Sequence, residues 1–356
     1  MAIAKSAPGV NLSFLSVMVV EDNSFIRLLM TSVLRSLGIE NIAIASSGGE
    51  AIKMIEDKAK TVPDGVPPFD IIFADILMPE VNGFMLLRWI RSSPASPDKF
   101  MPVAFVSAAA DLGYIAQARD LGMTEFIAKP FSTQGMWERL MGIIYKPRRF
   151  VLSPSYFGPD RRRLKKPATA ERRLRKNEDI EVVRVTTKKI SKENTDVFYF
   201  EFSNRLAAKV GGLAQGAEMP KIDPSVLQRV ESKISDMAGD YSTWVADEIH
   251  KLSETLYKLR EEGADVRKLM GQLNAGAHEM RGQGGIFGYP LITDFCKSLF
   301  QLTNRKATTI TDNEFELLKA HVDAIKVVIA ERVEGDGGET GRALLSGLQA
   351  AIKKYG

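Results

Sequence analysis

Five short apolar runs recur between residues 16 and 145: SVMVVE, NIAIA, FDIIFA, PVAFVS and EFIAK. Each is followed by an amphipathic stretch. In the first stretch Ile26, Leu29, Met30, Val33, Leu34 and Leu37 recur at 3.6-residue spacing. The others occupy about 49–59, 82–91, 111–121 and 132–145. Strand–helix alternation of this kind constrains a chain strongly. Parallel strands need crossover connections, and the helices that supply them cover both faces of the sheet. Residues 1–146 are therefore expected to form an α/β domain, a doubly wound five-stranded parallel sheet. KTVPDGVPP, before the third run, reads as a surface loop.

The remaining residues read differently. Residues 146–176 carry twelve Lys/Arg against two acids, Asp160 and Glu171, in a chain whose total charge is only +4. The basicity is thus local, and 147–178 is expected to be a basic flexible linker. Two β-like runs, DIEVVRV and TDVFYFEF, suggest a small hairpin within 179–210. Long amphipathic stretches with short connections follow, so 211–334 is expected to be an all-α, antiparallel helical bundle. Residues 335–356 are expected to be a flexible tail with a short helix. With one cysteine, Cys296, no disulfide framework or cysteine metal cluster is available. No apolar run reaches the ~18–20 residues that cross a membrane, and MAIAKSAPGV lacks a signal-peptide core. The cytoplasm is the expected compartment.

In an open α/β sheet, ligands bind at the carboxyl ends of the strands. Here those ends carry Glu21 and Asp22, then Asp75, Ser107 and Lys129. Three carboxylates in one place repel unless a cation intervenes. Mg²⁺, which combines few carboxylates with waters and phosphate oxygens, answers that need. Lys129 and the Ser107 hydroxyl suit the remaining oxygens of a phosphoryl group.

This edge resembles the receiver domain of bacterial response regulators, through VVEDNSFIR, FADILMPEVNG, FVSA and FIAKPF. The resemblance covers about residues 14–146. It implies a flavodoxin-like fold, with Asp75 as phospho-acceptor and Mg²⁺ held by Glu21, Asp22, Asp75 and the Leu77 carbonyl. It further implies Ser107 as switch hydroxyl, Phe126 as switch aromatic, Lys129 as phosphate-binding lysine and a cis Lys129–Pro130 bond.

The second chemical feature is HEMRGQGGIFGYP, His278–Pro290. Val266, Leu269, Leu273, Ala277, Met280, Gly284 and Phe287 form an apolar seam, and His278 lies about 100° off it. Its helical neighbours are Gly271, Asn274, Arg281 and Gly282, so the imidazole is expected to be reachable from solvent. A neutral imidazole can attack phosphorus, and a cation one turn away can steady phosphate oxygens. Each glycine in a helix costs roughly 0.8–1 kcal/mol relative to alanine, and the glycines here are expected to clear space for a docking domain. The stretch resembles the histidine phosphotransfer (Hpt) domain of phosphorelays. The matching residues are His278, Met280, Arg281 where that family usually has lysine, Gly282, Phe287, Gly288 and Cys296. Gln283-Gly284 and Tyr289-Pro290 depart from the pattern. The resemblance implies that His278 carries phosphate, supported by Arg281, Gly282 and Asn274. His321 is expected to be a partly buried packing residue and His250 an ordinary surface one.

No Walker-type phosphate loop is present, so no kinase ATP site is expected. The expected partners are a sensor histidine kinase and other receiver or Hpt proteins. Nucleic acid is disfavoured, and a homodimer is allowed. Two functions remain open: a phosphorelay through Asp75 and His278, or a phosphorylation-switched adaptor whose bundle docks partners without carrying phosphate.

Overall fold

The computed structural model describes residues 10–108, 112–161, 181–184, 198–201, 203–212, 218–305 and 308–355. The chain divides into two compact units: residues 1–127 with 133–230, and residues 128–132 with 231–356.

The first unit is built on a parallel sheet of β1 (Ser16–Val20), β2 (Asn41–Ala45), β3 (Ile71–Ala74), β4 (Val103–Ser107) and β5 (Glu125–Ala128), in the order β2-β1-β3-β4-β5. β3 and β4 are buried at every residue, as central strands covered on both faces must be. The crossovers are α1 (Ser24–Ser36), α2 (Gly48–Ala59), α3 (Gly83–Ser92) and α4 (Leu112–Asp120), and α5 (Thr133–Tyr145) follows β5. Asn23, Ser47 and Asn82 cap α1, α2 and α3, each side chain accepting main-chain N–H groups of the first turn. Asn23 and Ser47 follow the ends of β1 and β2 closely, so Asn23 also fixes the turn that carries Glu21 and Asp22.

The described part of the expected linker, residues 147–161, holds structure, and residues 162–178 lie outside the described residues. Phe150–Ser153 forms β6 and Tyr156–Pro159 forms β7. They join β8 (Glu181–Arg184) and β9 (Phe198–Glu201) in a second sheet of order β7-β6-β9-β8. β8 and β9 run parallel, so they are not the two arms of the expected hairpin; the connection between them lies outside the described residues. A non-local aromatic cluster accounts for the sheet. Phe100, from the loop before β4, packs with Phe150 (5.1 Å), Phe157 (5.3 Å) and Phe200 (5.4 Å). Arg91 lies beneath the Phe150 ring and donates to the carbonyls of Lys99, Met101 and Gly122. Its burial lowers the guanidinium pKa to about 10. A short α6 (Arg205–Val210) is tied to Asp70 by Lys209 (2.6 Å) and Arg205 (3.3 Å).

α7 (Pro224–Asp236) begins in the first unit and ends in the second. The Trp137 indole donates to the Pro220 carbonyl, and Val226 and Val230 are fully buried. The start of the region read as bundle is thus built into the first unit.

In the second unit α8 (Ala238–Lys258), α9 (Val266–Arg281), α10 (Pro290–Thr303) and α11 (Asp312–Ala330) form a closed ring. α8 packs on α9, α9 on α10, α10 on α11, and α11 back on α8. Thr311 and Glu314 make a reciprocal capping box that starts α11. The expected flexible tail is an 18-residue helix, α12 (Gly338–Tyr355), packed on α11. Leu348 buries itself while the polar residues stay outside. No helix among the described residues is long and apolar enough to cross a membrane.

Candidate phosphoacceptor site

Glu21 and Asp22 follow β1, Asp75 follows β3, Ser107 closes β4 and Lys129 follows β5. The β1–β3 pairing continues one step past the strands, because Asp75 N–H donates to the Val20 carbonyl at 2.9 Å. The acids on the two strands therefore leave from adjacent positions. Glu21, Asp75, Ser107 and Lys129 are all buried and Asp22 is half-buried. The Ile76 N–H donates to Asp75 Oδ1, and the Leu77 N–H lies 3.4 Å from the same oxygen. Donors aimed at one carboxylate oxygen hold the group's rotation. The Lys129–Pro130 peptide bond is cis. Phe126, in β5, is partly buried against the core.

Three residues of this site escaped the sequence reading. Arg27 donates from Nη1 to the carbonyls of Glu21 (2.6 Å) and Asp22 (3.0 Å), pinning the main chain of the acidic turn. Its signal was an arginine one helical turn after the Asn23 cap. The Asn23 N–H lies 3.4 Å from Glu21 Oε1. Gly83 opens α3 against Asp75: a Cβ there would overlap the Asp75 carbonyl oxygen and lie 2.9 Å from Ile76 Cα. Asn82-Gly83 is legible as a helix start, but not as a close approach.

The donor set is all oxygen, which suits a hard dication. Among the described residues no group of three or more His, Cys, Asp or Glu is arranged to hold a metal ion. The residues fit Mg²⁺ on narrower terms than three convergent carboxylates: this ion is satisfied by one or two carboxylates, a carbonyl and waters.

The match to known proteins falls on this half of the chain. Residues 17–141 match the response regulator receiver domain. The chemotaxis protein CheY of Pseudomonas aeruginosa is 30% identical over 126 residues, which is 35% of this chain and 93% of that protein. The chain belongs to the response regulator receiver family. CheY1 of Helicobacter pylori is 29% identical over 126 residues, covering 35% of this chain and 94% of the relative. The osmosensing histidine protein kinase SLN1 of Saccharomyces cerevisiae is 32% identical over 120 residues, 34% of this chain and 9% of that kinase. The N-terminal part is therefore a receiver domain of a two-component phosphorelay system. His278 lies outside the matched residues.

His278 sits in the last turn of α9, beside Arg281. Contrary to expectation it is only 4% exposed, because the apolar seam did not account for α10. The Phe300 ring of α10 lies 5.6 Å from the imidazole, and the Arg281 guanidinium stands 5.7 Å over the same ring. Asn274, expected as phosphotransfer support, is engaged within the bundle. Its amide donates to the Phe300 carbonyl (2.8 Å) and to Thr303 Oγ1 (2.9 Å), tying α9 to α10. Gly282 is the C-cap of α9.

The glycines divide into two kinds. Gly284 makes a turn: Tyr289 N–H donates to its carbonyl, and a Cβ would lie 2.6 Å from the Tyr289 carbonyl oxygen. Gly288 has φ +84°, a left-handed conformation that favours glycine. Gly271, one turn before Asn274, and Gly288 both meet open space. His321 is fully buried: Nδ1 donates to the Leu317 carbonyl and Nε2 accepts from the Ser298 hydroxyl, both at 2.8 Å. Burial lowers its pKa. His250 is exposed and pairs with Glu254.

Proposed function

We propose that this protein is a phosphorelay component in which Asp75 accepts a phosphoryl group from a phosphohistidine of a sensor histidine kinase. The observation that carries this is the buried Asp75 carboxylate at the end of β3, with one oxygen held by main-chain N–H groups. A carboxylate oxygen of Asp75 attacks the phosphorus. An O–P bond forms, the N–P bond of the donor breaks, and the donor histidine leaves as a neutral imidazole. In this reading Lys129 and Ser107 serve the phosphoryl oxygens, and Phe126 and Ser107 report the change. Glu21, Asp22, Asp75 and the Leu77 carbonyl are the groups that would hold Mg²⁺. When bound, the ion supplies positive charge opposite the phosphoryl oxygens. The receiver promotes its own phosphorylation, and no ATP-dependent kinase step belongs to the chain.

His278 then exchanges phosphate with a receiver aspartate, its imidazole nitrogen attacking the acyl phosphate while the carboxylate leaves. The Hpt-like motif and the neighbouring Arg281 support this role. A second reading, the switched adaptor, is favoured by the burial of His278 beside Phe300 and by the committed Asn274 amide. Labelled phosphate from a phospho-donor separates them. The relay predicts base-labile label on Asp75 and acid-labile, base-stable label on His278. The adaptor predicts the first only. Full labelling of Asp75→Asn with no effect of His278→Gln would defeat both.

A further inference from the structure

The loop from β3 to α3, residues 76–82, carries the Leu77 carbonyl and is held on two sides by main-chain contacts too close for any side chain. On the inner side Gly83 presses on the Asp75 carbonyl, and its N–H donates to the Ile76 carbonyl at 3.0 Å. On the outer side the contact comes from α2. Gly48 N–H donates to the Val81 carbonyl at 3.0 Å. A Cβ on Gly48 would overlap that carbonyl oxygen and lie 2.8 Å from Val81 Cγ1. The adjacent Gly49 has no such constraint, its nearest neighbour standing at 3.7 Å. Between the two contacts Glu80 adopts φ +58°, a conformation that persists in a non-glycine residue only where the surroundings impose it.

We infer that Gly48 is a positioning residue for the Asp75 site: by admitting the Val81 carbonyl against the start of α2, it sets the loop that presents the Leu77 carbonyl to Mg²⁺. The inference rests on Asp75 as acceptor and Leu77 as a carbonyl ligand. Relieving an alanine Cβ at position 48 requires the loop to move by about 1 Å, and misplacements of that size cost up to roughly 100-fold. A main-chain oxygen cannot swing aside as a flexible side chain would, so the displacement passes along the loop.

The test compares the full chain with Gly48→Ala, Gly49→Ala, Val81→Gly and Asp75→Asn. Mg²⁺ affinity is measured by calorimetry, acyl-phosphate formation from acetyl phosphate by labelling, and folding by thermal melts. Gly48→Ala should weaken Mg²⁺ binding about 10-fold or more and slow labelling by a similar factor, while Gly49→Ala stays at wild-type values. Val81→Gly introduces no clash but loosens the same contact, and should weaken Mg²⁺ binding in the same direction. A folded Gly48→Ala with the Mg²⁺ affinity of Gly49→Ala overturns the inference. If Gly48→Ala does not fold, unchanged Mg²⁺ affinity in Val81→Gly overturns it. Labelling of the wild type that persists in Asp75→Asn defeats the acceptor assignment instead, and is distinguishable because it does not depend on Gly48.

Discussion

Asp70→Asn should detach α6 from the first unit without touching the phosphoacceptor edge. Asp70 precedes β3, at the opposite end of that strand from Asp75, and is only 2% exposed. Its carboxylate accepts from the Ser16 N–H at 2.8 Å and pairs with Lys209 at 2.6 Å and Arg205 at 3.3 Å. Asparagine can keep the Ser16 bond but loses both charge-assisted contacts, and its amide then faces two cations. Breaking a fully buried pair costs about 3–5 kcal/mol, and exposed pairs contribute about 0–1 kcal/mol. Here the acid is buried while the cations are 37% and 43% exposed, so solvent screening brings the loss to about 2 kcal/mol. At 1.4 kcal/mol per factor of ten, that is roughly a 30-fold loss of local protection. Hydrogen exchange across Arg205–Val210, read by mass spectrometry on the intact chain, measures it directly. Asp57→Asn is the control, since the Asp57–Lys60 pair lies fully on the surface. Protection in Asp70→Asn equal to wild type would refute the reasoning, as would an equal loss in Asp57→Asn.

Two further outcomes test the second unit. The native bundle keeps His321 neutral, whereas the unfolded chain protonates it below about pH 6.5. Its contribution is complete above that pH and is lost as pH falls toward the lowered folded value. Urea midpoints should therefore drop between pH 7.5 and 5, with a smaller drop in His321→Met; equal slopes would count against it. In the α9–α10 turn, Gly284→Ala should destabilise by about 1–3 kcal/mol through overpacking against Tyr289 and Thr293. Gly271→Ala, facing open space, should instead stabilise by roughly 0.8–1 kcal/mol. Similar shifts for both would mean that the two glycines share one role.

Much of the receiver was legible in the chain because its signals are local. Period-3.6 and apolar runs mark strands and helices, and the residue after each strand is placed by topology alone. That is why the sequence alone leads one to expect Glu21, Asp22, Asp75, Ser107 and Lys129 on one edge. Arg27 and Gly83 were not legible, because a guanidinium reaching back to carbonyls and a missing Cβ leave no periodic trace. The same limit explains the second sheet. Phe150, Phe157 and Phe200 look like isolated aromatics among arginines and prolines until Phe100 supplies their common partner.

By itself, the sequence determined the five-stranded α/β order, the acids and lysine at the strand ends, and a helical second half carrying one histidine beside an arginine. Those follow from chain periodicity and from residue chemistry. Tertiary structure alone decided which glycines make turns and which face open space, that Asn274 is spent on α10, and that His278 is buried beside Phe300. It also decided that Phe150–Ser153 and Tyr156–Pro159, within the segment read as linker, are strands, and that Gly338–Tyr355, read as tail, is a helix. The physical reason is that most of these depend on an atom contributed by another element, and burial of a side chain is a property of its neighbours rather than of its own helix.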